Sequence, residues 1–404
     1  MDVLFVFIRV HSKITIQDRK NCIFAKIMFR GLFFQGKAEY KAQSLRAIAW
    51  RKFRKNRQGM FLLLFLGFVA LIAMLGYLIT PDSTPYANEQ ILEIGLQKPF
   101  TKVTFLAVRK NQAIQKRNFI DKMLNGQPSL FTLVPISKHW FSADSIYVEL
   151  LNVSSPYNRA SYKLADVISQ KDNKVPIIQK TYYLGTDRYG RDVLSQLIIG
   201  ARVSLSVGFV SVFIALIIGV FLGAVSGYFR GRIDDAIMWF INVVWSIPTL
   251  LLVIAISFAL GAGFWQIFIA IGLTMWVDIA RVVRGQVISL REKEFVEASK
   301  ALGFKSLPII FKHILPNITG TIIVVAAANF ASAILTEASL SFLGIGVQPP
   351  MPSWGTMIKE NYGYIILDYA YLAIIPGIAI MLLVLCFMLL GNVIRDILDV
   401  KTSD

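Results

Sequence analysis

Met60 to Thr80 reads MFLLLFLGFVALIAMLGYLIT, an uncharged run of 21 residues. A helix rises about 1.5 Å per residue, so this run is long enough to cross a hydrocarbon core roughly 30 Å thick. Five further apolar stretches reach the same length: about Val203 to Gly227, Ala236 to Leu260, Phe264 to Arg281, Ile318 to Leu343, and Tyr371 to Ile394. All are uninterrupted rather than alternating, and lipid admits only helices or closed barrels. The expected fold class is therefore an all-α membrane protein with six transmembrane helices.

Composition agrees. The 404 residues are 55% hydrophobic and 17% charged, yet carry a formal net charge of +17. Soluble domains run roughly 45–50% apolar and about 25% charged, so apolar spans with charge confined to their connections fit better. Disorder needs low hydrophobicity, and a nucleic-acid binder would explain the charge but not the apolar excess. Cys22 and Cys386 lie far apart, which gives no disulfide framework. His11, His139 and His313 fall outside the apolar runs, and no HExxH helix exists. No metal or catalytic residues are expected. Gly31 to Ala38, GLFFQGKA, has Ala38 where a phosphate loop needs a Mg-binding Ser or Thr, and no nucleotide-binding unit surrounds it. The chain itself is expected to bind no cofactor.

Charge also predicts orientation, because basic flanks of short connections stay cytoplasmic. Residues 1–59 hold 14 Lys/Arg against 3 Asp/Glu, a surplus of 11, and Arg51, Lys52, Arg54, Lys55 and Arg57 abut the first span. Both termini are then inside, with a cytoplasmic tail at 1–59 and another at 395–404. The stretch 281–316 contributes 7 basic and 3 acidic residues, consistent with a cytoplasmic connection. Residues 81–202 are placed outside despite 16 basic and 10 acidic residues, since long loops translocate largely regardless of charge. Within them, 81–183 is long enough for an extracytoplasmic α/β insert of unknown fold, with β-prone pieces at Lys102 to Val108 and Ser145 to Leu151. The opening VLFVFI (Val3 to Ile8) is too short to span, and reads as a surface-lying tail or as sequence upstream of a start near Met28.

The connection between spans four and five reads REKEFVEASKALGFKSLPIIFKHILPN, Arg291 to Asn317. Phe295, Ala298 and Leu302 share one face of a predicted amphipathic helix, with Lys293, Glu297 and Lys300 elsewhere. Gly303 sits where a C-terminal cap belongs. Ser306 is expected to cap a second short helix, with Pro308 in its first turn and Pro316 ending it. By shape alone this pair could rest on lipid headgroups or present its apolar face to a partner.

Glu297, Ala298, Ser299, then Gly303, then Ile314, Leu315 and Pro316 resemble the EAA loop of ABC importer permeases, with Ser299 replacing the usual alanine. Three more stretches narrow the resemblance: LGTDRYGRD (Leu184 to Asp192) followed by GARVSL (Gly200 to Leu205), TEASLSFLGIGVQPPMPSWG (Thr336 to Gly355), and WRKFRKNRQGM (Trp50 to Met60). They resemble the second-permease subunit of dipeptide and oligopeptide ABC importers, a family that includes nickel, glutathione and microcin permeases. The resemblance covers about 45 to 80 and 184 to 394, and implies a permease core at 184–394 of the type I importer kind. It also implies a coupling loop at 285–316, in which Phe295, Glu297, Ala298, Ser299, Leu302, Gly303, Ile314, Leu315 and Pro316 contact a cytoplasmic ATPase.

The implied partners are a second homologous permease, two ATPases that use ATP and Mg, and an extracytoplasmic solute-binding protein. The implied cargo is a peptide or similar small solute, with nickel or another non-peptide as the alternative. An ATPase-independent secondary transporter or channel is the rival class, but it predicts ionisable residues at mid-membrane and a repeat between halves, neither of which is visible.

Within the spans, Ala215, Gly219, Gly223 and Gly227 recur every fourth residue, a pattern that lets helix backbones approach closely. Pro248 and Pro376 are expected to kink their helices. Glu337, near the outer end of span five, could line the path or anchor the loop after it. Asp278 and Arg281 are spaced to pair at i, i+3. Pro248, Glu337 and Pro376 are the candidate path or gate residues.

Overall fold

The computed structural model describes residues 45–110, 117–142, 144–152, 158–167, 177–261 and 263–398. His11, Cys22, the Gly31 to Ala38 stretch and the C-terminal 399–404 lie outside them. The compact unit Phe53–Asp404 carries the spans and the insert.

After a helix α1 (Leu45–Lys55), α2 (Arg57–Ile79) is the first span. It starts where Asn56 accepts the Gly59 N–H at 2.9 Å. The others are α5 (Val193–Phe229), α8 (Phe264–Arg291), α10 (Ser306–Leu343) and α12 (Tyr371–Leu398). Between α5 and α8 lie α6 (Gly231–Trp245) and α7 (Thr249–Leu260), bent by 92°. Among the described residues, five single helices are long and apolar enough to cross a membrane, six if the bent pair counts as one span.

The bent pair corrects the expectation of one kinked span over Ala236 to Leu260. Pro248 ends the first arm rather than bending a continuous helix: it stands at the N-cap of α7, where its missing N–H costs nothing and its carbonyl accepts the Leu252 N–H at 3.1 Å. Pro376, by contrast, lies buried inside α12 without dividing it.

A second correction concerns the helix after Gly303. Pro316 does not terminate it; the helix runs without interruption from Ser306 through span five. Residues Ile309–Ile314 form a π-turn, and Pro316 falls in the first turn of the α-helical stretch that follows. The widened turn accommodates a residue that cannot donate to the preceding ladder. Ser306 makes no cap bond, and Lys305 holds the N-cap position.

The central contact joins α5 to α8. Ala215, Gly219, Gly223 and Gly227 are all buried. A Cβ on the three glycines would come within 2.7 Å of the Trp276 carbonyl oxygen, 2.5 Å of Ala280 O and 2.8 Å of Arg284 O respectively. The four-residue repeat on α5 thus meets a four-residue repeat of backbone on α8, and absence of side chain is what lets the axes close.

Among its described residues the insert contains five antiparallel strands: β1 (Thr101–Arg109), β2 (Phe131–Ser142), β3 (Ser145–Leu150), β4 (Arg159–Lys163) and β5 (Ile177–Tyr182), in the order β4-β3-β2-β1-β5. Two short helices, α3 (Phe119–Asn125) and α4 (Leu164–Val167), accompany the sheet. The β-prone pieces read from sequence fall on β1 and β3. Both faces bury apolar residues: Val103, Phe105 and Tyr182 pack with Ile91 and Ile94 on one side, while Leu106, Ile136, Ile146 and Val148 pack with Val167 on the other.

The LGTDRYGRD stretch bolts this sheet to the spans. Thr186 donates to Ile94 O at 2.6 Å and accepts the Gln97 N–H at 2.8 Å. Asp187 accepts the Tyr189 and Arg191 backbone N–H groups at 2.9 and 3.0 Å, and Arg191 Nε at 2.6 Å. Arg191 also reaches Glu360 at 2.5 Å, which joins the start of α5 to α11 (Trp354–Asn361). Gly190, at φ +72°, would place a Cβ 1.8 Å from Ile91 O, so only glycine fits this crossing. Asp192 caps α5 by accepting the Ser195 N–H at 2.9 Å, and Ser195 Oγ accepts the Asp82 N–H at 3.0 Å. Burial pushes the Asp192 carboxyl above its ordinary range, against the downward pull of the Ser195 donors.

Candidate functional site

The helices between spans four and five form a projecting hairpin. The first, α9 (Glu294–Ala301), ends in a Schellman motif: the Phe304 N–H reaches Ser299 O at 3.2 Å, and the Gly303 N–H reaches Lys300 O at 2.9 Å. Gly303 sits at φ +81° with open space around its Cβ position, so backbone conformation alone favours glycine there.

Two faces separate at once. Val296, Ser299, Ile309, Ile310 and Ile314 turn inward and are buried against the body of the bundle. Phe295 (41% exposed), Leu302 (77%), Phe304 (52%), Leu307 (58%) and Phe311 (58%) turn outward. These large apolar side chains group on one short hairpin as a contiguous exposed surface.

Of the residues singled out from sequence, Phe295, Glu297, Ala298, Leu302, Gly303 and Pro316 are exposed, whereas Ser299 and Ile314 are buried and Leu315 is half-buried. Ser299 donates to Phe295 O at 2.8 Å, one turn back on the same helix, which satisfies its buried hydroxyl. Phe304, Leu307 and Phe311 escaped the sequence reading because the surface they complete is continuous only once Gly303 has turned the chain.

The hairpin meets the end of α5, and the segments behind it are tied to one another. Lys300 Nζ lies 5.5 Å from the centroid of the Tyr228 ring at the end of α5, and Arg291 of α8 lies 5.8 Å from it. Arg230, in the α5–α6 turn, donates to Glu292 at 2.5 Å and holds that carboxyl below the usual range. Deeper, Arg284 of α8 grips Asp234 of α6 through two parallel bonds of 2.7 and 2.6 Å, and Ser226 of α5 donates to the same carboxylate. Its partners lie 50 residues apart, and neither stands out in sequence. Asp234→Asn should lower stability by about 1–2 kcal/mol, less than a fully buried pair would because both side chains keep some exposure. A drop of a few degrees in the thermal midpoint of the purified chain would register it, and Arg284→Lys, which keeps a cation beside Asp234 but not the two parallel bonds, should lose less.

Asp278 and Arg281 do not pair. Arg281 instead donates to Asn242 at 2.9 Å and lies 4.0 Å over the Trp245 ring, bracing the corner of the bent pair. A neutral amide and an aromatic face next to the corner win the guanidinium; among the described residues Asp278 has no ion pair. Pro248 lies at that corner, exposed beside Trp245 and Leu251.

Glu337 is fully buried in the interior of the chain. It accepts the Ser341 hydroxyl at 2.7 Å, and Ser341 Oγ in turn accepts the Val347 N–H at 3.2 Å. The carboxylate therefore holds the loop after α10. The nearby open groove of about 470 Å³ is lined by Leu335, Ala338, Phe342, Leu343 and Ile380, not by Glu337 or Pro376.

Comparison with known proteins places this arrangement. Residues 219–404 match the family described as "Binding-protein-dependent transport system inner membrane component", and residues 44–99 match the N-terminal TM domain of oligopeptide transport permease C. The oligopeptide transport system permease protein OppC of Bacillus subtilis is 36% identical over 257 residues, 63% of this chain and 83% of that one. The dipeptide permease DppC of Alkalihalophilus pseudofirmus is 44% identical over 220 residues, 54% and 72% of the two chains. The glutathione permease GsiD of Pectobacterium atrosepticum is 36% identical over 246 residues, 61% and 79%. A solved structure of the MetNI methionine ABC transporter in an inward-facing conformation is 20% identical over 50% of this chain and 97% of that one, at a TM-score of 0.43, too low to carry an argument. With one family description matched at 44–99 and another at 219–404, and permease relatives at 36–44% identity, the chain belongs to the multi-pass inner-membrane permease components of binding-protein-dependent ABC importers, transport subunits rather than enzymes, in the branch that holds the oligopeptide and dipeptide permeases.

Proposed function

We propose that this chain forms, with a second homologous permease, the path by which a peptide crosses the cytoplasmic membrane, driven by two ATPases docked on the hairpin around Gly303. The observation that carries this is the apolar surface of Phe295, Leu302, Phe304, Leu307 and Phe311, which is uncovered among the described residues. On this reading ATP and Mg are used by the partner ATPases.

The contacts behind the hairpin suggest how force travels. Closure of the ATPases would push α9, and the Tyr228, Glu292 and Asp234 contacts would pass the displacement to α5, α6 and α8 together. The corner at Pro248 lets α7 swing relative to α6, while the tight α5–α8 pair moves as one body. Nucleotide and the loaded binding protein would each bias an equilibrium between inward and outward openings. Both termini and the hairpin lie in the cytoplasm on this reading, and the five-stranded insert faces outside, where a solute-binding protein delivers cargo.

Peptide is favoured as cargo by the relatives named for oligopeptides, dipeptides and glutathione. Competition in vesicle uptake tests this: unlabelled di- and oligopeptides should suppress uptake of a labelled peptide, while nickel should not. Suppression by nickel alone would reassign the cargo.

A further inference from the structure

The insert carries a short helix whose apolar side chains are uncovered among the described residues. In α3, Phe119 is 69% exposed, Ile120 66% and Leu124 46%. Two of its polar side chains, Asp121 and Asn125, are held by each other and by Arg117 just before the helix: Arg117 pairs with Asp121 at 3.5 Å and donates to Asn125 O and Gly126 O at 2.7 and 2.9 Å, and Asn125 donates to Asp121 at 2.6 Å. A segment with satisfied polar groups and uncovered apolar ones is built for a boundary between water and an apolar phase.

The place of α3 in the fold identifies that phase. Arg202 of α5 donates to Leu124 O at 2.8 Å and to Met123 O at 3.3 Å, holding the helix from below. The same guanidinium lies 5.7 Å from the centroid of the Tyr77 ring in the last turn of α2, and a Cβ on Gly126 would approach that ring within 3.0 Å. With 23 residues, α2 is about 35 Å long and just spans a core of roughly 30 Å. Tyr77 therefore marks the level where the bilayer ends, and aromatic and arginine side chains are the expected residents of that level. Helix α3 is fastened there and not out in solvent with the sheet.

We propose that α3 is an interfacial foot of the insert, with Phe119, Ile120 and Leu124 dipped into the lipid of the leaflet that meets the outer ends of α2 and α5. The partner is bilayer lipid, and the foot sets the height and tilt of the sheet above the membrane. This needs only that α2 and α5 span a bilayer; it does not depend on the transport cycle or the cargo.

Spin labels test it in the full-length chain, reconstituted in phosphatidylethanolamine and phosphatidylglycerol vesicles. Phe119→Cys, Ile120→Cys and Leu124→Cys are labelled one at a time in a Cys22→Ser, Cys386→Ala background, with Tyr147→Cys on the sheet as the reference. Dissolved oxygen should relax the three α3 labels while a water-soluble nickel chelate loses its effect on them; at Tyr147 the nickel chelate should dominate. Strong relaxation by nickel at all three positions would place α3 in water and overturn the proposal. Shielding from both reagents would put a protein surface there, a second permease for example, and overturn it equally. If a labelled variant misfolds, the unmodified chain gives the second reading: lipid carrying an acyl-chain diazirine should form adducts within 119–124, and labelling of the spans with none in that segment would reject the foot.

Discussion

Glutamate at both Phe295 and Leu302 is expected to strip the ATPases from the purified complex while leaving the chain inserted and folded. Neither side chain is covered in the chain alone, at 41% and 77% exposure, so a charge there disturbs no core. Docking, however, must desolvate both positions. An apolar anchor replaced by an unpaired charge typically costs about 2 kcal/mol or more at the centre of an interface. Two such losses amount to at least roughly a hundredfold in affinity even when they overlap in part. Affinity capture on a tagged permease reads the result, with the ATPase bands lost and the permease eluting normally in detergent. Val296→Glu is the informative contrast. Val296 lies three residues before Ser299 on the buried face, at 0% exposure. That substitution should fail at folding rather than at docking.

The second large effect is expected at Gly223. Gly223→Leu should collapse the bundle, since a Cβ there would lie 2.5 Å from Ala280 O and 2.9 Å from Val283 Cβ. The first of these is backbone, so no rotamer change relieves it; α5 and α8 must separate. Overpacking a core costs about 1–3 kcal/mol, and forcing two backbones apart should sit at or above the top of that range. The loss shows as aggregation during size exclusion and a thermal midpoint lowered by several degrees. Gly285→Leu is the matched control, because nothing lies within 4 Å of a Cβ at that position on α8. Equal tolerance of both substitutions would contradict the close α5–α8 approach.

These two sites show what is legible in the sequence. The apolar runs locate spans because length and hydropathy are local properties, and the repeat Ala215, Gly219, Gly223, Gly227 announces a close helix contact without naming its partner. Gly303 is equally local, since a left-handed residue at a helix end almost selects its own side chain. Proline was read less well. Pro248 and Pro316 look alike in sequence, but one ends a helix at a 92° corner and the other sits just past a π-turn inside a continuous helix. Whether neighbouring turns absorb a missing N–H depends on what packs around them.

Long-range polar chemistry was hidden for the same reason. Asp278 and Arg281 have ideal helical spacing, but Asn242 and Trp245 claim the arginine from another helix. Asp234 with Arg284, and Arg191 with Glu360, join residues 50 and 169 positions apart. The LGTDRYGRD stretch was legible as a family signature, while its chemistry, a bolt between insert and spans, required the fold. The insert's sheet was only glimpsed, because strands buried on both faces give no clean alternation to read.

The central claim is that this chain moves solute only with energy borrowed through the hairpin around Gly303. The direct measurement is peptide uptake into proteoliposomes holding the two permeases and loaded binding protein, with and without the ATPases and ATP. Uptake should require both, and should vanish in the Phe295→Glu, Leu302→Glu variant even when ATP is present. Undiminished uptake without the ATPases, following an imposed ion gradient, would contradict the account and make the chain a secondary transporter.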